Sequence, residues 1–338
     1  MMPLPLMLSH WIADPTGARI RPVFDGGFSG ARVWHVEYRG QSFALRQWQP
    51  AMQEDRVFAI HSFQQWLAHE GLPVSTPIRA AATGQTVVCD GGAAWELAKW
   101  MPGVADYHRD PQPEKLSAAM ESLARLHVAA ARMPLTLPTW MTSRVSPALM
   151  KRSERLGALV LSELRTLRGA VGRLPPGAER TLAQEAFALV DGAAEAELRK
   201  FQRWENEVLP QQLCLRDVWH DHVLFTNSRV TGLVDFGATG SDSPAGDVGR
   251  LLGSLVGDDR ERWRLGLAAY DSVRPLSTEE RDVAAVFDSS GTVLSTANWI
   301  HWLFIDETGI VRPERRPAAI ERLRGLVGRL RTQAASPR

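Results

Sequence analysis

The stretch Leu213 to Gly249, LCLRDVWHDHVLFTNSRVTGLVDFGATGSDSPAGDVG, constrains the fold more than any other part of the chain. The apolar run Leu213-Cys214-Leu215 ends at Asp217. Val223-Leu224-Phe225 and Gly232-Leu233-Val234 flank the turn Thr226-Asn227-Ser228-Arg229, a β-hairpin signal. The second strand runs directly into Asp235-Phe236-Gly237. A hairpin returns its ends to one place, so Asp217 and Asp235 are expected at one edge. Two carboxylates so placed suit phosphoryl transfer: one accepts a proton from the nucleophile and the other holds a metal ion on the phosphates.

Upstream, the chain alternates with a period of two. Ile20–Phe24, Val33–Tyr38 and Phe43–Trp48 read as strands, with a turn at Tyr38-Arg39-Gly40-Gln41. Asp55 to His69 carries Val57, Ile60, Phe63, Trp66 and Leu67 at helical spacing and stops at Gly71-Leu72-Pro73. Strand-like pieces follow at 77–82 and 86–89, and Trp95-Glu96-Leu97 continues the sheet. From Pro111 onward, helical patterns dominate: 146–172, 177–207, 259–271, 277–286, 290–305 and 314–332. Leu116, Met120, Leu123 and His127 share one helical face, and the aromatic segment 297–304 has the spacing of a core face.

Asp25-Gly26-Gly27-Phe28-Ser29-Gly30 lies between two expected strands, where glycines let backbone N–H groups approach phosphate oxygens. Taken together, these motifs resemble the aminoglycoside phosphotransferase and choline kinase-like family, relatives of the protein kinases. That family reads His-Gly-Asp, four residues, Asn, strand, turn, strand, then Asp-Phe-Gly, and the spacing here fits without a gap. The resemblance implies an α+β, two-lobed protein-kinase-like fold. A small mixed-sheet N-terminal lobe, 1–96, would bind nucleotide; a larger, mainly helical lobe, 97–338, would carry catalysis and substrate, with a helical insertion near 140–205.

The resemblance also implies roles for residues. Gly26, Gly27, Ser29 and Gly30 would cover the phosphates of ATP, and Arg46 stands where the family has its strand lysine. Glu96 and Ala98 would lie beside the adenine. Asp217 would be the catalytic base and Asp235 the metal ligand. His222 occupies the position of the metal-binding asparagine, and Leu215 and Arg216 replace the histidine and glycine before Asp217. Magnesium prefers oxygen donors. The metal is therefore held largely by Asp235 alone, or shared with Asp221, or is manganese rather than Mg2+. The acidic partner of the strand cation aligns near His61, with Glu54 or Asp55 available only if the helix shifts. Asp247 resembles the aspartate that braces the catalytic loop. The expected activity is transfer of the γ-phosphate of ATP to a hydroxyl of a small molecule. The alternative is a nucleotide-binding pseudokinase or scaffold.

Composition narrows the field. A chain of 338 residues with 44% apolar content buries a large core. A net charge of +1 creates no strong field toward nucleic acid or membrane. Only four of the 39 basic residues are lysines, Lys99, Lys115, Lys151 and Lys200, whereas the family carries a lysine in its first lobe. His220-Asp221-His222 lacks the further ligands a zinc site needs. Two cysteines, no convincing signal peptide and no apolar run near the ~18 residues of a membrane span point to the cytoplasm.

Overall fold

The computed structural model describes residues 4–23, 31–134, 146–204, 206–306, 311 and 313–335. The chain divides into two compact units, one made of 1–134 with 220–239, the other of 135–219 with 240–338. The boundary expected at 96/97 falls inside a strand, Ala93–Lys99.

The first unit is built on a five-stranded antiparallel sheet. In chain order it comprises α1 (Leu4–Leu8), β1 (Arg19–Pro22), β2 (Arg32–Tyr38), β3 (Gln41–Gln47), α2 (Glu54–His69), β4 (Val88–Asp90) and β5 (Ala93–Lys99), with sheet order β1-β2-β3-β5-β4. The period-two alternation assigns the faces. Leu45 pairs with Leu97, and both join Val36, Trp95, Met7 and Leu8 in one core. Arg46 pairs with Glu96, so both side chains leave from the opposite face. Segment 77–82, read as a strand, makes only an isolated bridge from Pro77 to Ala98. A proline has no N–H to extend a ladder, and Ala80 N turns back to Gln85 O at 2.7 Å.

α2 starts with Glu54 and Asp55, which complement its N-terminal dipole, and the chain leaves it through Gly71 at φ 81°. α3 (Pro113–Ala131) buries Leu116, Met120, Leu123 and His127, the face read from spacing. The hairpin β7 (Val223–Thr226) and β8 (Arg229–Leu233) belongs to this unit, with Asn227 at the left-handed turn position, φ 54°.

The second unit is mainly helical: α4 (Pro147–Ala158), a π turn over Leu159–Glu163, α5 (Leu164–Arg173), α6 (Ala178–Gln202), α7 (Pro244–Val256), α8 (Arg260–Asp271), α9 (Thr278–Phe304) and α10 (Arg316–Ala335). Its short ladder pairs β6 (Gln212–Cys214) with β9 (Gly240–Asp242). Segments 277–286 and 290–305, read as two helices, are one: Ser277 and Glu280 form a capping box, and Gly291 alone does not break a helix buried on both sides of it. α7 starts at a sequence-encoded stop and start, with Ser243 as its cap and Pro244 in its first turn. Gly249 and Gly253 bring α7 against α9; a Cβ on Gly249 would run into the Ala284 carbonyl. Trp299, Ile300 and Leu303 are core residues, as their spacing implied.

Candidate active site

In the first unit, the outer face of β3 and β5 gathers charge. Arg46 Nη2 donates to Asp235 Oδ1 at 3.0 Å, and its guanidinium lies over the Trp48 ring, 4.7 Å from the centroid. Glu96 is 7% exposed, and its Oε2 accepts from Trp48 Nε1 (3.0 Å) and His61 Nε2 (2.5 Å). A carboxylate can only accept, so His61 Nε2 carries a proton toward Glu96, and Nδ1 lies 2.8 Å from Thr86 Oγ1. Glu96 of β5 thus stands across the ladder from Arg46 and acts on it by charge, and α2 contributes the histidine that holds Glu96.

The electrostatics follow. Burial pushes the Glu96 carboxyl up, but the His61 hydrogen bond and the Arg46 charge outweigh it, and its pKa ends lowered. Burial likewise pulls Arg46 down, yet attraction to Asp235 and Glu96 leaves it raised. Asp235 is lowered: burial is overcome by Arg46, by His222 and by the N–H of Gly237 at 3.4 Å.

Asp235 sits at the end of the hairpin with φ 62°, a left-handed conformation that aspartate tolerates. Arg56 of α2 donates to the Thr239 carbonyl at 2.8 Å, tying the following turn to the helix. With Oδ1 engaged by Arg46, Asp235 Oδ2 lies 3.7 Å from His222 Nε2. Metal bonds of about 2.1 Å allow two donors of one ion to stand about 3–4 Å apart, so this oxygen–imidazole pair fits a divalent cation. Asp221 is turned to His220, 3.3 Å from its Nε2.

Glu96 and Ala98, expected beside the adenine, lie on β5. Ala98 pairs with Ala44 on one side and bridges Pro77 on the other, Leu97 O accepts from Ile78 N, and the Glu96 carboxylate is spent on Trp48 and His61. Gly26, Gly27, Ser29 and Gly30 lie outside the described residues.

In the second unit, Asp217 follows β6 on a loop held by α7. Asp247, 1% exposed, accepts from the N–H of Leu215 through Oδ2 and of Arg216 through Oδ1, each at 2.7 Å. This is the bracing contact read from the sequence. Arg216 takes φ 64°, where the family pattern has glycine; its Nε lies 3.3 Å from Asp242 Oδ2. Asp242 also accepts from Ser146 Oγ at 2.5 Å, and burial raises its pKa. The Asp217 side chain, about half exposed, is paired with Arg250 of α7. Arg250 went unread in the sequence. Its signal was the i, i+3 spacing from Asp247, which puts both on one face of α7, legible only once that helix is recognised. Cys214 is buried and its thiol is pushed well up, so it is no nucleophile.

The sequence profile described as the phosphotransferase enzyme family matches residues 22–285. The chain belongs to that family. Homoserine kinase of Brucella anthropi is 26% identical over 268 residues, covering 76% of this chain and 72% of that protein. Homoserine kinase of Polaromonas naphthalenivorans is 25% identical over 277 residues, covering 79% and 77%. Two solved structures share the fold: spectinomycin phosphotransferase in complex with ADP and spectinomycin (TM-score 0.69, 10% identity, 97% of this chain and 96% of that one) and a microcompartment-associated aminopropanol kinase (TM-score 0.68, 17% identity, 98% and 97%). The protein-kinase-like fold implied by the motifs is thus the fold of the chain, and family membership makes it an enzyme, a phosphotransferase. Nothing among these relatives supports the pseudokinase alternative. Among the described residues, no helix is long and apolar enough to cross a membrane.

Proposed function

We propose that this phosphotransferase moves the γ-phosphoryl group of ATP to the hydroxyl of a small molecule, with Asp217 as the base. The observation that supports it is the retention of both carboxylates in built settings: Asp235 held by Arg46, and Asp217 on a loop fixed at two backbone N–H groups by Asp247. Asp217 takes the hydroxyl proton while the oxygen bonds to phosphorus. The bond from phosphorus to the bridging oxygen breaks, and ADP leaves with its electron pair.

Arg46 binds phosphate oxygens, with its direction fixed by Asp235 and the Trp48 ring. Gly26, Gly27, Ser29 and Gly30 cover the phosphates. Asp235 and His222 hold the divalent ion, Mg2+ or Mn2+, which supplies charge neutralisation on the phosphates. Most of the acceleration then comes from positioning and fixed charge. The partners are nucleotide and a hydroxyl compound, with neither nucleic acid nor membrane involved, and the compartment is the cytoplasm. Homoserine, the substrate named for the relatives of known activity, is the first acceptor to test.

A thermal-shift series with ATP and Mg2+ or Mn2+ reads nucleotide binding by linkage. ADP release over a panel of L-homoserine, aminopropanol and spectinomycin reads transfer. Asp217→Asn should lower turnover by about 10²- to 10⁴-fold with nucleotide binding kept. Wild-type rates in that variant would remove the assigned base.

A further inference from the structure

Arg152 lies on α4, and the active-site chemistry described above does not use it. Its half-buried guanidinium rests on the Phe287 ring, 5.2 Å from the centroid, and Nη1 reaches Ser290 Oγ at 3.4 Å. Gly291 leaves it room; a Cβ there would stand 3.2 Å from Nη1. Among the described residues no carboxylate lies within ion-pair distance of it. The carboxylates near enough to act on it are already engaged. Asp242 is held by Ser146, by the N–H of Ser243 and Ala148, and by Arg216. Asp288 is bound by Arg329 at 2.7 Å.

The remaining neighbour is another cation. Burial first, then repulsion from Arg250, lowers the Arg152 pKa to about 10 against the pull of Asp288 and Asp242. It stays charged at neutral pH. A desolvated charge with no counter-ion is unfavourable, and such groups persist where a ligand supplies the opposite charge. The Phe287 ring under Arg152 also packs on Gly246 of α7, 3.7 Å from where a Cβ would stand, one helical turn before Arg250, the residue paired with Asp217.

We propose that Arg152 and Arg250 form the seat for a carboxylate carried by the phosphate acceptor, which places the acceptor among hydroxy or hydroxyamino acids. The inference rests on the kinase reading above and adds the acceptor's chemical class. A carboxylate suits a site with one uncompensated charge, and a planar guanidinium binds it in bidentate fashion. By engaging Arg250 it also loosens the hold of that residue on Asp217 and frees the base for the hydroxyl. Acid recognition and base release are then one event.

The test uses the full chain with L-homoserine and 3-amino-1-propanol, which carry the same hydroxyl and amine but differ by the carboxylate. Wild type should favour L-homoserine in kcat/KM by about 10- to 100-fold. Arg152→Met should collapse that ratio to within about threefold, with Arg152→Lys intermediate. The melting temperature of Arg152→Met without ligand should not fall below wild type, because an uncompensated charge is removed. Equal use of both acceptors by wild type, or an undiminished ratio in Arg152→Met, overturns the seat. Should neither acceptor be phosphorylated, L-homoserine with ADP and Mg2+ must raise the wild-type melting temperature and not that of Arg152→Met; absence of the wild-type shift overturns the proposal. ATP-dependent stabilisation and ATP turnover in the same samples report on the kinase reading separately. Their presence without carboxylate preference removes the seat alone.

Discussion

Arg46 and Glu96 are register partners across β3 and β5, and Glu96 also anchors His61 of α2 and Trp48 through a single carboxylate oxygen. Glu96 thus acts on Arg46 by charge from across the ladder, while the direct ion pair of Arg46 is with Asp235. Glu96→Gln keeps the shape and removes the charge, leaving His61 and Trp48 with a weaker acceptor. The loss should be about 2–3 kcal/mol, read as a lower urea midpoint at unchanged m-value. The pH profile gives the sign. Glu96 and Asp235 have folded pKa values below their unfolded ones, so their contribution is complete above the unfolded values of about 4. It is lost as pH falls through the lowered folded values. Wild type should therefore lose stability in that acid window, and Glu96→Gln should show a flatter acid limb. Parallel limbs would mean that Glu96 is not ionised in the fold.

Arg46 serves Asp235, Glu96 and the Trp48 ring at once. Arg46→Met removes all three and leaves two carboxylates without their cation. Turnover should fall by about 10²-fold, from the loss of one or two charge-assisted contacts. Arg46→Lys restores the charge as a point donor without the planar face. It should recover part of the rate with a raised KM for ATP. Identical kinetics for the Met and Lys variants would show that charge at this position does not reach the nucleotide.

The proposed metal donors, Asp235 and His222, would offer one oxygen and one imidazole nitrogen, 3.7 Å apart. Imidazole favours manganese over magnesium more than an amide oxygen does. His222→Asn should therefore lower the ratio of Mn2+- to Mg2+-supported activity by about tenfold, measured at saturating metal. An unaltered ratio would place His222 outside the coordination sphere.

The legible parts of the molecule were those written locally. The hairpin was carried by Asn227 in its turn, the sheet by period-two alternation, and the face of α3 by Leu116, Met120 and Leu123. Asp217 and Asp235 could be placed because strand ends and turns have sequence signatures. What escaped reading depends on distant partners. Glu96 enters the sequence reading only through the resemblance, as part of the adenine-side backbone, while the surroundings of its carboxylate, Arg46 across the ladder and His61 on another element, are set by residues distant in sequence. Arg250 is an ordinary helix-surface arginine until α7 is known to lie beside the loop of Asp217. Pro77 resembled part of a strand because the residues after it alternate, but it cannot donate to the ladder.

The loop carrying Asp217 depends on Asp247, whose two oxygens accept the adjacent N–H groups of Leu215 and Arg216. Arg216 is thereby kept at φ 64°, a conformation costing a non-glycine residue about 1–2 kcal/mol. Asp247→Asn retains the volume but offers one acceptor and one amino group, so one N–H must face another donor. Such a buried clash should cost about 2–3 kcal/mol of stability. The more telling change is kinetic. Both Asp247 oxygens are spent on the loop backbone, so under the proposed mechanism KM for ATP should change little, while kcat falls by about 10²-fold as Asp217 drifts from its position. Adding Arg216→Gly relieves the backbone conformation and leaves the unpaired N–H, so it should return some stability without returning kcat. If kcat recovered with stability, Asp247 would be acting on the fold as a whole rather than on the placement of Asp217.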